Sequence, residues 1–229
     1  MSPRAYRKPR PEPEPIPLDG SASITSIRAC PDDPVRVSLR VSKQQVGRVL
    51  LETKVKHRLE VGTPWTEELA EALRTELDQG NAYRAAVRIL TKRAKSSGEL
   101  RRKLREYKYE ADAIEWSIER LIELGILNDE EYARMVVRSQ LSRKPAGRRL
   151  LSGKLREKGI NQSISDRVLD EMLEDRDTLD DARKLAQQAA RSISDRHDRD
   201  VRVRRISGRL ARRGFDFDVI RKVVDELDL

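Results

Sequence analysis

Six arginines stand within residues 202–213, at positions 202, 204, 205, 209, 212 and 213, with no acid among them and Asp200 just outside. Guanidinium groups at this density point to anion recognition, because each is permanently charged and presents a planar fork of donors that matches phosphate or carboxylate. Two shorter basic runs precede them. Residues 101–105 hold Arg101, Arg102, Lys103 and Arg105, and residues 148–158 hold Arg148, Arg149, Lys154, Arg156 and Lys158. Such runs suit a polyanion or an acidic groove. The competing account is that they are solvated faces, neutralised by neighbouring acidic helices through surface pairs worth about 0–1 kcal/mol each.

Other chemistry finds no residues to rest on. Neither a phosphate-binding glycine loop, a dinucleotide fingerprint, a zinc-ligand spacing nor a nucleophile elbow occurs. Ser-Gly-Lys-Leu at 152–155 and Ser-Gly-Arg-Leu at 207–210 imitate phosphate loops but fall inside helical periodicity. His57 and His197 are the only histidines, and His197 sits in a polar connection that reads as a loop. Aromatic residues make up 4% of the chain, so surfaces for stacking bases are sparse. Trp65 and Trp116 read as packing anchors. Tyr107 and Tyr109 adjoin Arg105 and Lys108 and are the better contact candidates, although the repeat described below gives Tyr109 a core role. The single Cys30 excludes an intramolecular disulfide, and with neither a signal peptide nor a long apolar run the expected setting is a reducing cytoplasm. The reading is of a non-enzyme without cofactor or metal.

The elements that must position the basic runs are written three times. Lys103-Leu104, Lys154-Leu155 and Arg209-Leu210 open stretches whose apolar positions coincide: Tyr109, Ile160 and Phe215; Ala113, Ile164 and Val219; Ile118, Leu169 and Val224; Leu121, Met172 and Leu227. The copies start 51 and 55 residues apart, the signature of a helical repeat. Each unit reads as three helices, the middle one basic and the third acidic. Ser96 with Glu99, and Asn128 with Glu131, predict helix N-caps; Gly125, Gly159 and Gly214 predict left-handed helix ends. The first unit has Lys108 where the others have Gly159 and Gly214, which predicts strain or another geometry. At the position of Ile114 and Ile220 the middle unit has Ser165, which predicts looser packing or exposure there. The fold class is mainly α, an elongated array of three tandem three-helix repeats over residues 80–127, 128–176 and 177–229.

Upstream, residues 1–23 are proline-rich and poor in apolar side chains, and read as a disordered tail. Residues 24–79 read as a small α/β module. Ile24–Ala29 and Val35–Val41 alternate as a β-hairpin, Val46–Leu51 fits either strand or helix, and Thr63-Pro64 marks the start of a helix. The net charge of +9 divides as +1 over residues 1–23, 0 over 24–79 and +8 over the repeats. The basicity therefore belongs to the repeats.

Arg93, Ser96, Glu99-Leu100 and Leu104, the connection Gly125-Ile126-Leu127-Asn128-Asp129, Tyr132-Ala133, and the segment Leu155-Arg156-Glu157-Lys158-Gly159-Ile160 together resemble the RecX family of bacterial RecA regulators. The resemblance covers residues 80–229, with a weaker match over 24–79, and departs from the family pattern at Tyr107-Lys108. It implies a monomer that lodges in the helical groove of the RecA filament on single-stranded DNA, slows ATP hydrolysis and strand exchange, and so acts in DNA repair, recombination and the SOS response. Under that implication the contacting surface, toward RecA or DNA, is Arg101, Lys103, Arg105, Arg149, Lys154, Arg156, Arg205, Arg209 and Arg212. A nucleic-acid-binding helical module independent of RecA, or an adaptor for an acidic protein, remains open.

Overall fold

A computed structural model of the protein describes residues 15–174, 176–194 and 196–227. The expected proline-rich tail lies outside the described residues as far as residue 14. The chain divides into two compact units, one of residues Met1–Val87 and Tyr107–Ser117, the other of Arg88–Glu106 and Ile118–Leu229.

In the first unit the alternating β-branched residues form an antiparallel sheet of β1 (Asp19–Ala29), β2 (Arg36–Val41), β3 (Gln44–Leu50) and β4 (Pro64–Thr66), in the order β3-β2-β1-β4. The hairpin pairs Ile24 with Val41 and Ala29 with Val37. β1 begins at Asp19, upstream of the alternating run and inside the stretch read as a disordered tail, because β4 pairs with its first half. This is where Pro64 departs from expectation. It opens an edge strand instead of a helix, a place that equally tolerates the missing N–H. The helix cap passes to Thr66, whose Oγ1 accepts from the Leu69 amide at 3.3 Å. The ambiguous Val46–Leu51 stretch is strand through Leu50, followed by the short α1 (Leu51–Lys56).

The next helix, α2 (Glu67–Leu90), runs unbroken through Gly80, where the sequence places the change from module to repeat. Gly80 has a packing reason: a Cβ there would stand 2.6 Å from the Arg48 carbonyl oxygen of β3. Leu73 and Leu77 pack with Ile24, Leu39, Val41, Val49 and Trp65 in one core. Glu76 accepts hydrogen bonds from the Leu50 amide at 3.0 Å and from Thr53 Oγ1. Trp116 also serves packing, edge to face with Tyr83 at 6.2 Å and under the buried Arg36 guanidinium at 4.9 Å.

The helical periodicity resolves into α3 (Ser97–Glu106), α4 (Ala111–Glu123), α5 (Asp129–Leu141), α6 (Arg148–Glu157), α7 (Gln162–Leu173), α8 (Thr178–Arg191), α9 (Arg199–Arg212) and α10 (Phe217–Asp225). The three equivalent leucines, Leu104, Leu155 and Leu210, are fully buried. α5, α6 and α7 enclose one core around Val137, Leu151, Leu155, Val168 and Leu169, and α8, α9 and α10 another around Leu185, Ile206, Leu210, Phe215 and Val223. Ser165 corrects the expectation of exposure in the middle repeat: it is 2% exposed, and its Oγ has no hydrogen-bond partner among the described residues.

Successive repeats of the second unit meet backbone to backbone. The N-terminal end of one repeat's middle helix docks on the turn after the middle helix of the next. A Cβ on Gly98 would lie 2.5 Å from the Gly159 carbonyl oxygen, and one on Gly147 would lie 2.2 Å from that of Gly214. Gly159 and Gly214 also have φ of 71° and 80°, so each is required twice over, by conformation and by contact. The carbonyl of Lys158 accepts from Ser96 Oγ, and that of Arg213 from the Gly147 amide at 2.9 Å. Arg213 reaches back with its guanidinium to the carbonyls of Pro145 and Lys144, at 2.6–2.8 Å and 2.8 Å. Lys108 occupies the same turn in the first repeat with φ of 61°, and it is exposed. The chain keeps the left-handed turn there but needs no close contact, since a sheet module, not a repeat, precedes it.

Equivalent positions therefore respond oppositely to substitution. Gly159→Ala is expected to destabilise by about 1–3 kcal/mol through overpacking at the joint. Lys108→Gly is expected to stabilise by about 1 kcal/mol through relief of its left-handed conformation. Urea denaturation of the two variants checks the pair of signs.

Candidate functional site

The basic runs fall on the middle helices α3, α6 and α9, and residues that resemble a family signature fix the first of these against the second repeat. Ser96 Oγ accepts from the Glu99 amide at 3.0 Å and caps α3. The neighbouring Ser97 binds Asp129 twice, amide to Oδ1 at 2.7 Å and Oγ to Oδ2 at 2.6 Å. The Glu99 carboxylate reaches beyond its own helix; it accepts from Tyr132 Oη at 2.7 Å and from Lys158 Nζ at 2.9 Å. Burial by itself would raise the Glu99 carboxyl, and these two donors reverse that, holding it below the ordinary value. Tyr132 feels the complement: burial first, then Glu99, push its phenol up to about 12. Signature residues of the first two repeats are thus the joint between them.

The nine basic positions divide by environment. Lys103 and Lys154 are half-buried and paired within their own helices, Lys103 with Glu106 and Lys154 with Glu157, the latter at 2.8 Å. The hydrogen bond from each lysine lowers its partner's carboxyl. Arg101 is also half-buried. Arg105, Arg149, Arg156, Arg205, Arg209 and Arg212 are exposed, and among the described residues none of these six is ion-paired.

Neutralisation by the third helices goes elsewhere. Arg134 of α5 holds Glu171 of α7 in a two-pronged pair at 2.8–3.2 Å, and Arg183 of α8 holds Glu226, just past α10, at 2.7 and 3.0 Å. Arg148 takes Asp166 and Asp170 at 3.5 and 2.6 Å, and Arg167 takes Glu130. The acids of α7 are consumed by α5 and the first residue of α6, which leaves them no part in neutralising Arg149 and Arg156 of α6.

On α9 three of the candidates come together. Arg205, Arg209 and Arg212 join Arg204, Gly208 and Ile193 around a surface cavity of about 400 Å³. Arg209 is steered by Ser192, whose Oγ accepts from its Nη1 at 3.0 Å. Arg204 is not among the nine, although it lies in the same six-arginine run. Ser97, Asp129, Lys158 and Arg213 give no sign in the sequence of the joint partners they meet, which lie 32 to 69 positions away. Tyr107 is half-exposed, whereas Tyr109 is partly covered and its equivalents Ile160 and Phe215 are core. Cys30 is buried, and burial pushes its thiol up, away from the reactive thiolate. Among the described residues no cluster of His, Cys, Asp or Glu could hold a metal ion, and no helix is long and apolar enough to cross a membrane.

Comparison with known proteins places these features in a family pattern. Residues 82–121, 128–169 and 175–224 match, in order, the family models of the first, second and third three-helix domains of RecX. The regulatory protein RecX of Corynebacterium efficiens is 37% identical over 159 residues, covering 66% of this chain and 75% of the relative. That of Trichlorobacter lovleyi is 34% identical over 147 residues, covering 64% and 95%. A crystal structure of a regulatory protein RecX shares the fold with a TM-score of 0.68 at 24% identity, over 90% of this chain and all of the other. RecX from Lactobacillus salivarius aligns with a TM-score of 0.59 at 28% identity, over 66% and 97%.

The joint makes a spectroscopic prediction. A phenol raised in the folded state stabilises it fully below the ordinary value of 10, and that contribution is lost as pH rises through about 12. Ultraviolet titration should show a tyrosine ionising near pH 12. It should vanish in Tyr132→Phe and move down in Glu99→Gln.

Proposed function

Because this chain belongs to the RecX family of regulatory proteins, we propose that it is a non-enzymatic regulator of RecA, binding the RecA filament on single-stranded DNA in its helical groove and inhibiting ATP hydrolysis and strand exchange. The supporting observation is the set of exposed, uncompensated arginines on helices whose mutual placement is locked by backbone contacts. A filament of RecA on DNA offers both acidic protein surface and phosphate at regular intervals, and repeated middle helices with outward guanidinium groups complement either. The regulator acts by occupancy: it contributes charge and shape, and no chemistry of its own.

The nine basic residues do not contribute equally in this reading. Lys103 and Lys154 must exchange an intrahelical glutamate for the filament, and that exchange discounts their gain. Arg205, Arg209 and Arg212 have no such exchange to make and carry the larger share. A helical module that binds nucleic acid without RecA is the alternative, and it is favoured by the same α9 cluster.

Charge reversal separates the contributions. Arg209→Glu with Arg212→Glu removes two charge-assisted hydrogen-bonding groups and is expected to raise the concentration required for inhibition of RecA ATP hydrolysis by roughly 100-fold. Lys103→Glu with Lys154→Glu should cost about tenfold or less. Equal inhibition by the α9 variant and the unaltered chain would exclude this surface from the filament contact.

A further inference from the structure

The third repeat departs from the other two at two positions flanking its equivalent cation. Beside Lys103 stand Glu99 and Glu106, four residues before and three after; beside Lys154 stand Leu150 and Glu157; beside Arg209 stand Arg205 and Arg212. The acid that neutralises the cation in the first two repeats is an arginine in the third. Positions 205, 209 and 212 fall on one face of α9 by the helical period, and the structure gathers them with Arg204 around the cavity of about 400 Å³.

Gly208 supplies the floor. A glycine inside a helix costs about 1 kcal/mol relative to alanine, and Gly208 has no left-handed backbone or tight neighbour to require it. A Cβ there would meet only Arg212 Nη1, at 3.4 Å. What the missing side chain does leave is room between Arg204 and Arg212.

We propose that this cavity is a phosphate-binding site that holds the backbone of single-stranded DNA, and that it distinguishes the third repeat from the first two. Four arginines line the cavity with no carboxylate among its lining residues, a charge density that suits several anionic oxygens at close spacing. Successive phosphodiesters on one strand provide them, whereas a lone protein carboxylate provides two. No aromatic residue lines the cavity, so the site grips the backbone and leaves the bases unread, making it independent of sequence. The choice of DNA as the polyanion rests on the regulator reading, but the test does not need the filament.

The test is fluorescence anisotropy of a labelled oligothymidylate titrated with the full chain at several salt concentrations, run beside RecA ATP hydrolysis. The unaltered chain is expected to bind with affinity that falls as salt rises. Arg209→Gln with Arg212→Gln should flatten the log–log slope by about 0.7 for each phosphate no longer neutralised. Gly208→Leu, which keeps every arginine but fills the floor, should weaken binding by about tenfold, the worth of one charge-assisted hydrogen bond. The same double charge removal at Lys54 and Lys56 of α1 should leave slope and affinity unchanged. No binding by the unaltered chain, or unaltered-chain slope and affinity in both α9 variants, overturns the phosphate site. If those variants bind DNA normally yet fail to inhibit RecA, the cavity takes protein carboxylates and the regulator reading stands. If they fail to bind DNA while the unaltered chain leaves RecA unaffected, the phosphate site stands and the regulator reading falls.

Discussion

Two glycines from adjacent repeats touch through their backbones, and the rest of the helical unit depends on that contact. A Cβ on Gly98 would run into Gly159 and one on Gly147 into Gly214, while Gly214 is itself closed off by Leu150 and Gly159 is tight against Gly98. The approach is close enough for main-chain groups of one repeat to bond those of the next, as Gly147 and Arg149 do with Arg213 and Gly214. Backbone contacts of this kind fix register more firmly than side-chain packing, because neither rotamer changes nor small sequence changes can absorb a shift. Each contact falls at the N-terminal end of a middle helix. The joint thereby sets where α3, α6 and α9 stand, and with them the basic residues.

Around this frame the charges fall into two groups with different uses. Arg134, Arg148, Arg167 and Arg183 are tied to acids of the third helices and their neighbours, and Arg213 and Lys158 are tied into the joints. The first four tie helices within one repeat, and the last two tie one repeat to the next. The outward arginines of the middle helices are left over, and α9 holds the densest group of them. The net charge of +8 over the repeats is thus what remains after the internal pairs cancel.

Much of the fold is legible because it is written in local signals. The leucine register places all three middle helices, and Ser96, Asn128 and Gly125 act as the caps their types predict. Pro64 misleads because one chemical fact, a missing donor, suits both a helix start and an edge strand, and only the pairing of β4 with the upstream half of β1 decides between them. Ser165 misleads because a polar residue in an apolar register suggests exposure, although the surrounding core encloses it. The joints are illegible for another reason. Nothing in Glu99, Tyr132 and Lys158 as residue types announces that they meet, and Lys108 resembles a defect until the contact that demands glycine at Gly159 and Gly214 explains why the first turn escapes the demand. As for the basic surface, composition locates it and only three dimensions sort the paired from the unpaired.

The central claim is that the chain acts on an assembled filament and not by covering DNA. Its most direct test is ATP hydrolysis by the cognate RecA on single-stranded DNA, titrated with this protein well below one molecule per DNA-binding site. The account predicts inhibition at those substoichiometric levels. Inhibition that begins only when the protein saturates the DNA, or no inhibition at all, would contradict it.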